Sequence, residues 1–205
     1  MKLSLINGET ELEDINERNG EISLILVETI INVINAGSIW TKGHAVRVSN
    51  YAVQIAKEMG FSDKEIMILR LAGLLHDIGE IGTSDKLLSK VSITEKEYEI
   101  IKEHPVHGAK IFEKIEQLKD IAPLIRHHHE RVDGKGYPDS LNGEETPLSA
   151  RILHVAESFD SMTSDRPHRL SPGIEYALSE LKKHSGSQFD SRVVDAFLKI
   201  STLEE

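Results

Sequence analysis

The chain has 205 residues, 24 basic and 34 acidic side chains for a net charge of −10, 39% hydrophobic residues and no cysteine. That length holds one domain with a substantial core and a short appendage, in an ordinary globular composition. Disulfides, iron–sulfur clusters and thiolate zinc sites are excluded, and the acidic balance argues against a face for polymeric nucleic acid, which needs clustered Lys and Arg.

Residues 1–20 are polar and acidic and read as an N-terminal arm; 21–205 are expected to form the domain. Apolar positions over 21–36 are dense enough for a largely buried helix. Residues 44–59 predict a second, with Val48, Ala52, Ile55 and Met59 at helical spacing and Gly60 as a stop. Ser62 with Glu65 makes a capping box that opens a third, running to about Asp77, and Thr94 with Glu97 opens another towards His104. Pro105 then marks a boundary or kink. Further helices are expected near 106–116, 119–130, 148–163, 172–184 and 191–200, with Ser171 and Pro172 as cap and first turn of the fourth of these. Nothing alternates with period two and there is no internal repeat, so the fold class is all-α. Residues 132–147 break the pattern with Gly134, Gly136, Pro138, Gly143 and Pro147, a long loop of the kind that is often functional. The apolar stretches 22–27 and 71–75 fall far short of the ~20 residues that span a bilayer. Residues 3–6 are too short for the core of a signal peptide. No membrane association is expected, and the expected location is cytoplasmic.

Ten histidines are present, and their placement carries more than their number. His76-Asp77 ends an apolar helix, where an unpartnered imidazole and carboxylate face a desolvation cost. Alone, such a pair reads as a hydrogen-bonded helix cap. Arg126-His127-His128-His129-Glu130 is a second histidine-rich helix end; three consecutive histidines cannot share one helical face, so at most two point into a common site. His44 opens one helix and His104 stands before a proline, and each alone reads as an ordinary core or surface histidine. Together they place histidines at the ends of four helices, which suits a helical bundle converging on metal. Without cysteine, the donors are imidazole and carboxylate, matched to iron, manganese, zinc or nickel.

The string Leu74-Leu75-His76-Asp77-Ile78-Gly79 resembles the HD signature of metal-dependent phosphohydrolases. His128-His129-Glu130-Arg131, then Asp133-Gly134-Lys135-Gly136-Tyr137-Pro138, resembles the HD-GYP subfamily, and Arg151-Ile152-Leu153 and Thr163-Ser164-Asp165-Arg166-Pro167 match its next two blocks, in order over about residues 25–200. The resemblance implies a compact helical HD-domain bundle. It implies a phosphodiesterase that opens a cyclic dinucleotide, usually cyclic di-GMP, to a linear dinucleotide or GMP through a two- or three-metal centre of iron or manganese; two metals of such a centre can share a bridging hydroxide. By position, His44, His76 and Asp77 hold one metal and Asp77 bridges to a second held by His104, His128 and His129. Arg166 and Arg169 contact substrate phosphate or guanine, and the loop through Lys135 and Tyr137 shapes one wall. The bland alternative for that loop is a structural turn.

Four positions depart from the family pattern. Glu80 stands where a lysine usually follows the HD signature, and is read as a catalytic-site position with Asp77. Glu157 replaces the aspartate that is the final ligand; it keeps the ligand type but moves the oxygen by about 1.5 Å, one carbon–carbon bond, which either shifts the affinity for one metal or leaves Asp160, one turn later, to compensate. Trp40 stands where three-metal members carry a glutamate, so two metals are expected. His168 replaces a tyrosine. Three functions are compatible with these residues: an active two-metal phosphodiesterase, a weakened module that binds a nucleotide or a diguanylate cyclase domain through Gly136-Tyr137-Pro138, and an enzyme for another phosphoester. A homodimer is an allowed assembly.

Overall fold

The computed structural model describes residues 43–83, 87, 90, 92–165 and 170–201. The arm expected over 1–20, the helix over 21–36, Trp40, Arg166, His168 and Arg169 lie outside the described residues.

Helix α1, His44–Glu58, repeats Val48, Ala52 and Ile55 on one face, and all three are fully buried. The chain turns at Gly60, and Ser62 and Glu65 form the expected reciprocal capping box on α2, Asp63–Leu75. That helix ends at Leu75, two residues short of Asp77, and a 3-10 turn, Ile78–Gly82, comes next. Thr94 and Glu97 cap the short α3, Glu95–Ile101, none of whose residues is buried. Pro105 opens a helix here instead of kinking one: it lies in the first turn of α4, His104–Phe112, where its missing N–H costs nothing.

The helix expected over 119–130 is divided. Lys119–Ile121 is 3-10, α5 spans Ala122–His127, and the chain leaves helical geometry as the Glu130 amide turns back to the His127 carbonyl at 3.0 Å. The glycine-rich loop falls over 132–147 as expected, with one isolated bridge, Asp133 to Asn142, and a 3-10 turn, Gly143–Glu145. Helices α6, Leu148–Thr163, α7, Ile174–Lys183, and α8, Ser191–Ser201, complete the described chain. Ser171 and Pro172 fall three and two residues before α7: the Ser171 hydroxyl accepts from the Gly173 amide at 3.0 Å and donates to the Met162 carbonyl at 3.1 Å, so it fixes the preceding turn.

The described residues form no named strand, as the missing period-two pattern implied, and no helix among them is long and apolar enough to cross a membrane. Helix α6 is the axis of the core. It buries Ala150, Ile152, Leu153, Val155, Ala156 and Phe159 and packs on α1, α5, α7 and α8. Phe159 meets Phe197 of α8 edge to face, ring centres 4.7 Å apart. Each fully buried Ile, Leu or Phe contributes about 1.5–3 kcal/mol of transfer free energy. This packing brings the start of α1 and the ends of α2, α3 and α5 to one place. Gly79 is what lets the 3-10 turn lie on α4: a Cβ there would overlap the His104 carbonyl and the Gly108 amide.

Candidate metal centre and substrate cavity

Two groups of three side chains converge there, His44 with His76 and Asp77, and His104 with His128 and His129; in each group the donor atoms lie within 4.8 Å of one another. Asp77 faces both. Its Oδ2 is 3.1 Å from His76 Nε2 and 3.6 Å from His44 Nε2, while its Oδ1 is 3.5 Å from His104 Nε2. His76, His104 and His128 are almost wholly buried.

The helix ends orient the rings. His76 Nδ1 donates to the Gly73 carbonyl at 2.9 Å, His104 Nδ1 to the Ile101 carbonyl at 2.8 Å, and His128 Nδ1 to the Ile125 carbonyl at 2.6 Å. Each carbonyl belongs to a last helical turn, lies three residues upstream, and would otherwise lack a partner. A carbonyl only accepts, so Nδ1 carries the proton and Nε2 is turned into the site. This is the arrangement in which a second hydrogen bond fixes the tautomer of a ligating imidazole.

Charge sorts the two groups. Burial, followed by the neighbouring imidazoles, holds His128 and His129 well below the ordinary histidine pKa, and burial also lowers His104. These rings are neutral. The Nε2 atoms of His104 and His128 therefore present two lone pairs to each other at 3.3 Å, a contact without a shared proton that a cation between them would relieve. In the other group burial opposes protonation of His44, but hydrogen bonds to Asp160 and Asp77 outweigh it and raise the pKa to about 10. His76 is raised as well, against burial, by the charge of Asp77. Asp77 is held well below the usual carboxylate range by His76, His44 and His104 despite its own burial. Neutral imidazoles on one side, a proton that a metal would displace on the other, and an ionised carboxylate between them fit divalent metal ions.

The loop over 132–147 folds against this centre. Glu130, itself buried, accepts from the amides of Asp139 at 2.7 Å and Leu141 at 3.1 Å, and Arg126 grips Asp139 with two bonds of 2.7 Å. A Cβ on Gly136 would overlap the backbone of 129–131, so glycine is what permits the close approach. Tyr137 is thereby stacked on His129, ring centres 4.7 Å apart. Beside it opens a cavity of about 560 Å³, lined among others by Tyr98, Lys102, His129, Lys135, Tyr137 and Glu157.

The residues expected at the site are therefore largely together. Of the three consecutive histidines, His128 and His129 point in, and His127 turns away to Asp139 at 2.9 Å. Glu157 places Oε2 3.7 Å from His129 Nδ1, at the edge of the second group. Glu80 lies on the 3-10 turn, and burial, with the nearby charge of Asp77, pushes its carboxyl up to about 8. Lys135 and Tyr137 line the cavity. Asp160 is engaged on the side of His44 away from the metal groups: its oxygens meet His44 Nδ1 at 2.7 Å, the Arg47 guanidinium, and the Ser164 hydroxyl at 3.4 Å. The roles of Asp160, Arg47 and Glu130 were not expected. For Glu130 a signal existed, since an acid between a buried histidine pair and a glycine loop has backbone amides to accept from.

A family model described as the HD domain matches residues 28–193. The chain belongs to the HD domain family. It is 40% identical over 163 residues to a cyclic di-GMP phosphodiesterase of Thermotoga maritima, covering 78% of this chain and 44% of that protein. It is 34% identical over 179 residues to the 3'3'-cGAMP-specific phosphodiesterase 3 of Vibrio cholerae, covering 87% and 39%. The chain thus spans about two fifths of the length of these curated relatives. Among solved structures, an HDG"Y"P protein from Bdellovibrio bacteriovorus aligns with a TM-score of 0.65 over 78% of this chain and 51% of that one, at 22% identity, a likeness of fold. A cyclic GMP-AMP-specific phosphodiesterase of Vibrio cholerae aligns with a TM-score of 0.57 over 86% and 40%, at 29% identity.

Proposed function

We propose that this chain hydrolyses a phosphodiester of a cyclic dinucleotide, with cyclic di-GMP the favoured substrate and a linear dinucleotide or GMP the product. Two divalent metals, iron or manganese, would be held by His44, His76 and Asp77 and by His104, His128 and His129, with Asp77 shared and Glu157 beside His129. The observation that carries this is the straddling placement of Asp77, whose two oxygens face different histidine groups. The names of the sequence relatives support the substrate class.

When bound, such metals supply positive charge at the phosphodiester and an acidified water. The protein's own part is to keep His104, His128 and His129 neutral by burial and to aim the Nε2 atoms of His76, His104 and His128 inward through the helix-end carbonyls. Neutral donors leave the metal charge for the substrate. Tyr137 and Lys135 form the wall on which the nucleotide lies, and Arg166 and Arg169, outside the described residues, are assigned to substrate phosphate and guanine. The same reading takes 1–20 as an arm and 21–205 as the catalytic domain, in the cytoplasm. It leaves the Gly136-Tyr137-Pro138 surface for a diguanylate cyclase domain or a second copy of the chain.

The test is to purify the protein without oxygen, count metals by elemental analysis, and follow cyclic di-GMP and cyclic GMP-AMP with added manganese or iron. About two metals per chain and a linear product support the reading; metal-loaded protein that leaves both nucleotides intact refutes it. One observation favours a second reading, a regulator that binds nucleotide without efficient turnover: Glu80 adds a carboxyl near Asp77 and Glu157, where an anionic substrate must approach.

A further inference from the structure

The cavity beside His129 has a wall that the metal ligands leave unexplained. Tyr98 and Lys102 stand one helical turn apart where α3 ends, and both line the cavity. The Lys102 ammonium lies 4.8 Å from the centre of the Tyr98 ring and 5.8 Å from that of Tyr137. Tyr137 in turn stacks on His129. The ammonium therefore sits between two aromatic faces, one ring removed from a candidate metal ligand, in the range where a ring quadrupole attracts a cation. Its carboxylate partner is Glu99 at 2.7 Å, which is 62% exposed. A solvated pair of that kind contributes little and gives way to a better anion.

Another cation on the same wall is already engaged. Arg131 is gripped by both oxygens of Asp133, at 2.9 and 2.7 Å, and by Gln188 at 3.1 Å. Glu80 brings a carboxyl where the family resemblance has a lysine. A cyclic dinucleotide carries two phosphodiesters on one small macrocycle. Metals held at the histidine groups would meet one of them, which leaves the other for a positive charge elsewhere in the cavity lining.

We propose that Lys102, held between the Tyr98 and Tyr137 rings, binds the substrate's second phosphodiester, the one that is not cleaved. This rests on the phosphodiesterase reading above. Lysine suits the task as a compact point charge on a flexible stem. The interaction accounts for substrate binding in a site where Glu80 replaces a basic residue.

The experiment compares metal-loaded wild type, Lys102→Met and Lys102→Arg on cyclic di-GMP and on bis(p-nitrophenyl) phosphate, a diester with a single phosphate. Equilibrium dialysis of cyclic di-GMP is run on the same proteins. Lys102→Met is expected to weaken cyclic di-GMP binding and lower its kcat/KM by about tenfold or more, the worth of a charge-assisted contact. It should leave the single-phosphate diester unchanged, and Lys102→Arg should recover most of the loss. An equal loss on both diesters marks a structural role and overturns the proposal, as does unchanged cyclic di-GMP affinity. Wild type that binds cyclic di-GMP but cleaves neither diester overturns the phosphodiesterase reading, while the affinity ratio still decides Lys102. Wild type that binds no cyclic di-GMP overturns both.

Discussion

Asp160, one helical turn beyond Glu157 on α6, holds His44 Nδ1 through its Oδ2 at 2.7 Å and is itself held by the Arg47 guanidinium. The pair joins the start of α1 to the end of α6 and points His44 Nε2 at His76 and Asp77. A buried carboxylate behind a ligating imidazole fixes its orientation and raises its basicity, and loss of such a partner typically costs about 10–100-fold in metal affinity. Asp160→Asn is expected to weaken metal binding by that amount, chiefly at the His44 group. Titration against a chromogenic chelator measures it; an affinity equal to wild type would show that His44 is oriented by other contacts.

Gly79 lets the 3-10 turn after Asp77 rest on the first turn of α4. Gly79→Ala places a methyl against the His104 carbonyl and the Gly108 amide, both backbone atoms that cannot step aside. The expected result is a loss of about 1–3 kcal/mol of stability, the range for overpacking. Metal content should fall with it, because His104 and Asp77 are the residues forced apart. Urea unfolding and elemental analysis read the two effects, and a variant with normal midpoint and full metal content would contradict the close approach.

The metal-ligating candidates were legible because chemistry and local structure coincide: histidines at helix ends are visible as residue types at predictable boundaries. The capping boxes of Ser62 and Thr94 were legible for the same reason, since every atom they use lies within one turn. What orients the rings was not. His44 and Asp160 are 116 residues apart in the chain, and only the packing of α6 on α1 brings them together. The carbonyls of Gly73, Ile101 and Ile125 are backbone atoms whose use depends on where each helix stops, and boundaries are the least certain part of a sequence reading. The expected helix over 119–130 shows how this enters the site. It stops at His127, and His128 and His129, just past its end, both stand in the second histidine group.

His154 is buried against the site, with Nδ1 donating to the His128 carbonyl at 2.9 Å, and burial lowers its pKa from 6.5 to about 4. A histidine depressed in the folded state stabilises above its unfolded pKa, and that contribution is lost as pH falls from 6.5 towards 4, because the unfolded chain takes the proton first. His44 shifts the other way, from 6.5 to about 10, so its contribution is constant below 6.5 and is lost as pH rises towards 10. Glu80, raised from 4.5 to about 8, opposes the His154 slope through part of the window, so the comparison must be a difference. In chelated protein, the stability gap between wild type and His154→Gln should narrow by about 2 kcal/mol between about pH 7 and 5. Urea unfolding at the two pH values checks it, and a gap that stays constant or widens would place the burial cost of His154 elsewhere.

Glu80 is the residue at which charge and proposed substrate conflict most directly. Burial and the charge of Asp77 already push its carboxyl up to about 8, so at neutral pH the metal-free site keeps it largely protonated instead of adding a third negative charge. Bound metal would lower that pKa again, and an ionised Glu80 would then repel the phosphodiester. Glu80→Lys exchanges that repulsion for attraction. The expected outcome is a rise in kcat/KM for cyclic di-GMP on the order of tenfold, about 1.4 kcal/mol, with metal content unchanged. Glu80→Gln, which removes the charge without reversing it, should fall between the two. If both variants match wild type in steady-state assays, Glu80 lies off the substrate's path, and any slowness belongs to Glu157, whose longer side chain stands beside His129.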